Sequence, residues 1–378
     1  MKPAFASLDS MLPSLLAAYG PPGRETGVRA VLRRLLKGTG SFGQDDATGN
    51  LHVRRAGSGR RLLLTAHMDA PGIIVTRLEG DTGQARIAVL GGRKPAELVG
   101  ASVLFEGDRA ALIAWERKDG ADPEPDQLIL ETGITKRGRP GSRGARGLNG
   151  AAGPLGVGDV AALEDRPIRI GDYWCAANLD NRAGCAVLVQ ALTRARRVGY
   201  DVHAVFTAQS DLGARGATTS AFGIEPDLAV VIDVAHVGEP KETSGFTPGK
   251  GPCVALKEHG FLAHPEMLEV VRKAARAARV PLQYLIREGD GSDARAVRAS
   301  RMGVPTAVLA IPARRSGGVW SLVHARDLEQ TVALIGAVLA GGGGMSAWGA
   351  ARGKAKARPK AKTKAKAKAR PRTRGGRR

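Results

Sequence analysis

The sequence has few cysteines and no long apolar segment. Its 378 residues include only Cys175, Cys185 and Cys253, and no two of these form a CxxC pair. An odd number without close pairs argues against a disulfide framework or a zinc knuckle and favours a reducing compartment. No apolar run approaches the roughly 18 residues that a membrane-spanning helix needs. Residues 1–18 include Asp9 and lack a signal-peptide pattern, so we predict a cytoplasmic protein with no membrane association.

Aromatic residues are also scarce, at 4% of the chain, whereas 43% of all residues are hydrophobic. The core must therefore be built mainly from Val, Leu, Ile and Ala. At roughly 150 residues per domain, the chain length suggests two folded domains. Between residues 171 and 340, short apolar runs alternate with helical patterns. This alternation favours an α/β fold with a mixed, largely parallel sheet flanked by helices.

A different pattern interrupts the α/β alternation at residues 96–166. This stretch has short strand-like pieces at 102–105, 110–115 and 127–131, followed by a Gly-rich segment. We predict a small β-barrel-like domain here, inserted into a discontinuous α/β domain that comprises residues 1–95 and 167–341. Residues 342–378 form a separate tail.

Acidic residues are missing from the end of the chain. Residues 352–378 contain 14 Lys or Arg and no Asp or Glu, which leaves the rest of the chain at +7 out of a net +21. A segment of this composition cannot bury a core, so we predict that it is disordered. Its charge predicts sequence-independent binding to nucleic acid, and the alternative is a solubilising tail without a defined partner. The residues expected to contact nucleic acid are Lys354, Lys356, Arg358, Lys360, Lys362, Lys364, Lys366, Lys368 and Arg370.

Acidic side chains and one histidine follow several of the predicted strands. His67 and Asp69 come after the strand 62–66, and Asp180 stands directly before a predicted helix. Asp211 and Asp233 lie at the ends of two further strands. In open α/β sheets, ligands bind at the carboxyl ends of the strands. One imidazole with several carboxylates is a suitable ligand set for zinc, cobalt or manganese, although each residue alone would more often cap a helix or form a turn.

Together these segments resemble a known family, the glutamyl and deblocking aminopeptidases. These dinuclear metallopeptidases assemble into tetrahedral particles and were formerly described as cellulases or endoglucanases. The resemblance covers about residues 13–339 in both order and spacing. The segments that carry it are TAHMDAPGIIV, ANLDNRAGCAVL, FTAQSDLGARGA, VVIDVAH, GSDARAV and GVPTAVLAIPAR. It implies a homo-oligomeric hydrolase that acts on peptide N-termini with zinc or cobalt.

The resemblance also implies roles for individual residues. His67, Asp180 and Asp233 match the ligands of one metal ion, and Asp180 bridges to a second ion. Asp69 matches the residue that orients the histidine ligand. A Glu and a late His complete the second site in the family, and another Glu just before the Glu ligand is the general base.

The sequence departs from this family pattern at three positions. The family's Gln-Glu-Glu is Gln209-Ser210-Asp211 here, so Ser210 replaces the general base and Asp211 replaces a metal-binding Glu. A serine hydroxyl does not take a proton from water near neutral pH, as a carboxylate does. The late His falls on Gly317, which supplies no ligand. His324 would replace it only if the loop were rebuilt, because His324 matches a helix-capping residue of the family.

The remaining candidates have ordinary structural alternatives. Asp293 matches a pocket segment of the family but would also serve as a helix N-cap. Arg314 and Arg315 would either face an acidic group of the substrate or lie on a solvated surface. Ser210 as a nucleophile would need a neighbouring base, and none is evident in the sequence.

Two functional hypotheses follow from these observations. The first is an aminopeptidase-family hydrolase whose activity is impaired because Ser210 and Gly317 replace essential residues. The second is a non-catalytic metal-binding scaffold with a tail that binds nucleic acid.

Overall fold

The computed structural model describes residues 7–43, 46–80, 83–106, 109–115, 122–132, 155–238, 245–289, 291–315 and 319–341. Within these ranges the helices are α1 (Leu8–Leu16), α2 (Thr26–Leu35), α3 (Pro95–Leu98), α4 (Leu179–Arg194), α5 (Arg215–Ile224), α6 (Pro265–Ala278), α7 (Ala294–Arg298) and α8 (Ala325–Leu339). Short 3-10 turns occur at Pro125–Gln127 and Ser210–Leu212. In the part of the chain described here, no helix has the length and apolarity required to cross a membrane.

The strands form two separate sheets. Those of the first half of the chain are β1 (Ser41–Phe42), β2 (Leu51–Arg55), β3 (Arg61–His67), β4 (Gly72–Glu79), β5 (Gln84–Leu90), β6 (Ser102–Phe105), β7 (Arg109–Trp115), β8 (Leu128–Glu131), β9 (Val160–Leu163), β10 (Ile168–Ile170) and β11 (Tyr173–Ala176). They are followed by β12 (Asp201–Thr207), β13 (Leu228–His236), β14 (Cys253–Glu258), β15 (Phe261–Leu262), β16 (Gln283–Ile286), β17 (Thr306–Arg315) and β18 (Ser321–His324).

The larger sheet has a parallel centre and antiparallel flanks. Its order is β1-β2-β12-β3-β13-β17-β18-β11-β10, and β14 to β16 join it at β17. The four strands β12, β3, β13 and β17 are parallel neighbours. Strands buried on both faces need continuous apolar runs, which is why these strands are recognisable in the sequence. The predicted mixed α/β class is confirmed.

Helices cover both faces of this sheet. Leu62 and Leu64 of β3 pack into one apolar cluster with α1, α2, α4, α6 and α8, whereas Leu63 points into a second cluster with α5 and α7. Helix α4 is buried along most of its length. Helix α6 begins at His264-Pro265, where the His264 ring accepts a hydrogen bond from the Glu266 amide (3.3 Å) and the proline occupies the first turn.

The second sheet is a closed barrel with the order β4-β5-β8-β7-β6-β9. Its neighbouring strands are antiparallel, and inward residues such as Val103 and Ile113 alternate with more exposed ones. Strands β4 and β5 belong to it, so the barrel starts at Gly72 rather than near residue 96. The chain thus passes into the barrel five residues after the end of β3.

Several sequence predictions fall outside the described residues. Most of the Gly-rich segment, the position Gly317 and the basic tail from residue 342 onward belong to this group. The proposals about nucleic-acid contacts of the tail therefore stay predictions.

Candidate metal centre and its pocket

Three elements bring a histidine and two aspartates together at the carboxyl edge of the parallel strands. His67 is the last residue of β3, and Asp233 lies near the end of the neighbouring β13. Asp180 stands in the first turn of α4. The next residue, Asn181, donates its side-chain amide to the carbonyl of Ile232 (2.8 Å), which ties the start of α4 to β13. The sheet topology places His67 and Asp233 side by side, and the tie between α4 and β13 brings Asp180 into the same region.

The distances among these residues suit a metal ion. His67 Nε2 lies 3.5 Å from Asp180 Oδ1 and 3.6 Å from Asp233 Oδ1. One ligand atom from each residue lies within 4.8 Å of the others, and among the described residues this is the group that could hold a metal. Asp180 Oδ1 is buried and accepts no hydrogen bond. An oxygen in this state is well suited to a cation, because burying a carboxylate oxygen without a partner is costly.

The electrostatics of these three residues also favour a bound cation. Burial alone would lower the pKa of His67, but Asp180, Asp233 and Asp69 raise it well above the usual range. Burial would raise the pKa of Asp180, yet His67 and more distant cations hold it at about 2. Burial and the charge of Asp180 raise the pKa of Asp233 to about 6. Several carboxylates thus surround one imidazole, and the residues present fit a divalent cation bound by nitrogen and oxygen.

Asp69 lies on the opposite side of the His67 ring. His67 Nδ1 is 3.2 Å from the Asp69 carbonyl and 3.5 Å from its Oδ1. The other carboxylate oxygen, Oδ2, accepts a hydrogen bond from the Asp211 amide (2.9 Å). Asp69 is completely buried, so this contact fixes both the His67 ring and the loop that carries Asp211. A contact of this type determines which imidazole nitrogen faces a metal.

The loop after β12 places Ser210 against Asp293. Ser210 Oγ donates to Asp293 Oδ1 (2.7 Å), and Thr207 Oγ1 donates to Asp293 Oδ2 (2.6 Å). Gln209 adopts a left-handed backbone conformation (φ 55°), and its backbone N–H donates to Glu25 Oε1 (2.9 Å). Asp293 is 2% exposed, and burial raises its pKa. Asp293 precedes α7, but its side chain does not cap that helix and instead binds the two hydroxyls.

Asp211 lies in the same pocket but outside the three-residue group. Its Oδ2 is buried without a hydrogen bond. Burial, followed by the charges of Asp69, Asp180 and Asp233, raises its pKa well above the usual range. Asp211 is therefore close enough to interact electrostatically with the charged residues of the site.

Two histidines differ in their relation to this pocket. His324 caps α8, where Nδ1 accepts from the Arg326 amide (3.1 Å), and its ring packs edge-on against Tyr173. His236, the last residue of β13, lines the pocket. Burial lowers the pKa of His236 to about 4. Sequence reasoning missed His236, although it belongs to the segment VVIDVAH.

The pocket around these residues is a cavity of about 230 Å³. Besides the acidic residues, it is lined by Arg93, Arg287 and Arg315. The neighbouring Arg314 instead stacks over the Tyr173 ring at 4.8 Å. The sequence analysis considered Arg314 and Arg315 together, but consecutive residues of a strand point to opposite faces. Only Arg315 therefore lines the pocket.

Comparisons with known proteins agree with this architecture. Residues 152–334 match the model of the M42 glutamyl aminopeptidase family. A putative aminopeptidase of Acetivibrio thermocellus is 28% identical over 86% of this chain and 96% of its own length. A lysyl aminopeptidase of Pyrococcus furiosus is 26% identical over 87% of this chain and 96% of its own length. The TET1 peptidase of Pyrococcus horikoshii, which can assemble into a tetrahedron or a large octahedral shell, has the same fold. Its TM-score is 0.76 at 24% identity, over 88% of this chain and 99% of that one.

Proposed function

Since the chain belongs to the M42 glutamyl aminopeptidase family, we propose that it binds peptide N-termini at a single metal ion and hydrolyses them slowly. The observation that supports a slow reaction is Ser210, which stands where the family has its general base. The Ser210 hydroxyl donates to Asp293, and Ser210 lines the pocket. Unlike a glutamate, its side chain carries no carboxylate that could accept a proton from water. Loss of a general base costs on the order of 10²–10⁴ in rate.

His67, Asp180 and Asp233 would hold the ion, and zinc or cobalt suits one imidazole with two carboxylates. When bound, a divalent ion polarises a carbonyl group and lowers the pKa of water. Asp69 would keep the His67 ring in place through the contact at its Nδ1. Asp211 would approach the second ion position of the family, but Gly317 contributes no ligand there. We therefore expect the second ion to bind weakly at most.

The protein's own groups orient the substrate. The pocket arginines would supply charge-assisted donors to the polar groups of the substrate. We further propose a homo-oligomer, by analogy with the assemblies of the P. horikoshii relative.

Two observations favour a second candidate function. Ser210 lacks the basicity of a carboxylate, and the chain carries 14 cationic residues within 352–378. A protein that binds metal and peptide without hydrolysis, and nucleic acid through its tail, would have both features. In this case the folded domain serves as a scaffold.

One experiment separates the two functions. The purified protein is incubated with zinc or cobalt and a set of aminoacyl nitroanilides, and release of nitroaniline is followed over hours. Asp233→Asn should abolish any activity, whereas Asp172→Asn, at an exposed aspartate, should leave it unchanged. Slow turnover that depends on Asp233 supports the hydrolase. Complete absence of turnover, with metal still bound, supports the scaffold.

A further inference from the structure

The fold brings a carboxylate against Ser210 that no neighbouring position of the sequence supplies. Asp293, 83 positions further along the chain, accepts a hydrogen bond from Ser210 Oγ at 2.7 Å. Its other oxygen accepts a hydrogen bond from Thr207 Oγ1 at 2.6 Å. An ionised carboxylate accepts at both of its oxygens, as Asp293 does here. The structure therefore provides the base beside Ser210 that the sequence did not reveal.

Ser210 and Asp293 differ in their access to the metal pocket. Ser210 lines the cavity together with His67 and the acidic residues of the site. Asp293 is only 2% exposed and is not among the residues that line this cavity. Burial raises the pKa of Asp293, which makes its carboxylate a better proton acceptor than that of an exposed aspartate. The Ser210 hydroxyl thus connects the cavity with a buried proton acceptor.

Hydrogen bonds on both sides of Ser210 fix its position. The backbone N–H of Gln209 donates to Glu25 Oε1 (2.9 Å), and the backbone N–H of Asp211 donates to Asp69 Oδ2 (2.9 Å). Glu25 and Asp69 are both buried. The hydroxyl of Ser210 is therefore held between the cavity and Asp293, and groups held in a reactive geometry transfer a proton without a search for alignment.

We propose that Ser210 and Asp293 form a proton relay in which Asp293 takes the place of the general base. This inference rests on the proposed function, because the proton comes from the water that attacks the peptide carbonyl. As the water oxygen bonds to the carbonyl carbon, one water proton passes to Ser210 Oγ and the Ser210 proton passes to Asp293 Oδ1. A hydroxyl can do both because it donates and accepts. The proton then returns by the same path to the leaving amine, which regenerates the Asp293 carboxylate.

A relay of this kind is consistent with slow hydrolysis. Two hydrogen bonds must be aligned at once, whereas a glutamate would accept the proton directly. We therefore expect the relay to contribute about 10- to 100-fold to the rate, at or below the lower end of the range for general bases. The alternative role of the contact is to join the loop after β12 to the start of α7. In that case its loss changes stability but not the kcat of the folded protein.

Single and double variants of the zinc-loaded, full-length protein separate these two roles. Ser210→Ala and Asp293→Asn should each lower kcat by about 10- to 100-fold and leave KM nearly unchanged. Because the two groups transfer the same proton, the double variant should lose no more than the larger of the two single losses. Wild-type kcat in either single variant overturns the relay.

The matched controls are Ser220→Ala and Asp327→Asn. They alter a buried serine and a buried aspartate that are not among the residues lining the cavity, so both should retain the wild-type kcat. Thermal unfolding of each variant establishes that it is folded at the assay temperature. Equal losses of kcat in the controls contradict the relay, because they show that any buried substitution of this type slows the protein.

A titration of the metal-free protein tests the contact independently of activity. The aspartate carboxyl carbons are labelled with ¹³C and followed by NMR, and the Asp293 signal is identified by its absence from Asp293→Asn. Ser210→Ala removes a charge-assisted hydrogen bond from the carboxylate, so the pKa of Asp293 should rise by about 1–2 units. Ser220→Ala should leave that pKa in place. An unchanged pKa in Ser210→Ala overturns the relay, because Ser210 then makes no hydrogen bond to the ionised Asp293.

Failure of the relay and failure of the proposed function give different results. If the zinc-loaded wild type releases no product, the proposed function is wrong and the relay is wrong with it, even where Ser210→Ala shifts the pKa of Asp293. If the wild type turns over and the two single variants match it, the proposed function stands and the relay is wrong. Turnover that requires both Ser210 and Asp293 supports both.

Discussion

Replacing Ser210 with Glu introduces a carboxylate at the position that the resemblance to the family assigns to the general base. If the missing base limits hydrolysis, Ser210→Glu should raise kcat by about 10²- to 10⁴-fold. The introduced carboxylate would stand beside Asp293, since Ser210 Oγ already lies 2.7 Å from Asp293 Oδ1. The variant therefore places two acidic groups next to one another in a buried setting.

This proximity gives a second, quantitative expectation. Two unit charges about 4 Å apart repel by about 4 kcal/mol at an effective dielectric constant of 20. This corresponds to about 3 pKa units, so the introduced carboxyl should titrate near pH 7 instead of about 4.3. Adding Asp293→Asn removes the repulsion and should shift the lower limb of the pH–rate profile down by about 2–3 units.

The assay measures kcat and kcat/KM for an aminoacyl nitroanilide between pH 4 and 9, with zinc or cobalt present. Ser58→Glu adds the same group at an exposed serine and should have no effect on the rate. If the sequence resemblance aligns Gly317 correctly with the family's late His, a further Gly317→His change should add to the gain by supplying a ligand for the second ion. The reasoning is refuted if Ser210→Glu leaves the rate at the wild-type level. It is also refuted if Asp293→Asn leaves the pH limb of the Ser210→Glu variant in place.

Three further predictions concern the tail and the stability of the fold. Truncation after Gly344 should remove most of the salt-dependent affinity for duplex DNA. In filter-binding assays of the full-length protein, the log of the binding constant should fall by about 0.9 per phosphate contact for each unit of log salt. Equal affinity of the full-length and truncated proteins would exclude the tail as the binding element. Arg287→Met should lower the free energy of unfolding by about 3–5 kcal/mol in urea titrations, because Glu258 stays buried without its partner, and a change below about 1 kcal/mol would contradict the pairing. Burial raises the folded-state pKa of Asp293, so its protonated form favours folding. Relative to Asp293→Asn, the wild type should lose stability as the pH rises from about 4 through that raised pKa, and parallel pH profiles of the two would show that Asp293 is not responsible.

The central sheet and the three-residue group could be predicted from the sequence for a physical reason. Parallel strands buried on both faces need apolar runs, and the ends of these runs meet at one edge of the sheet. His67 and Asp233 follow directly from this rule. The Ser210–Asp293 contact joins residues 83 positions apart and depends on the left-handed backbone of Gln209, which no local pattern specifies.

Other features were hidden by ordinary sequence patterns. His236 is three residues after Asp233, and strict strand alternation places such residues on opposite faces. The pocket arginines were not distinctive in a chain with 57 Lys and Arg. The start of the barrel at Gly72 was missed because β4 follows β3 so closely that no composition change marks the boundary.

The most direct test of this account is the metal content of the purified wild-type protein and of Asp233→Asn. Both are equilibrated with excess zinc, passed through a desalting column and analysed by mass spectrometry for metal per chain, with Asp172→Asn as the matched control. We expect one tightly bound ion per chain in the wild type and in Asp172→Asn, and a large loss in Asp233→Asn. Two stoichiometric, slowly exchanging ions in the wild type would contradict the claim that this chain has a single metal site.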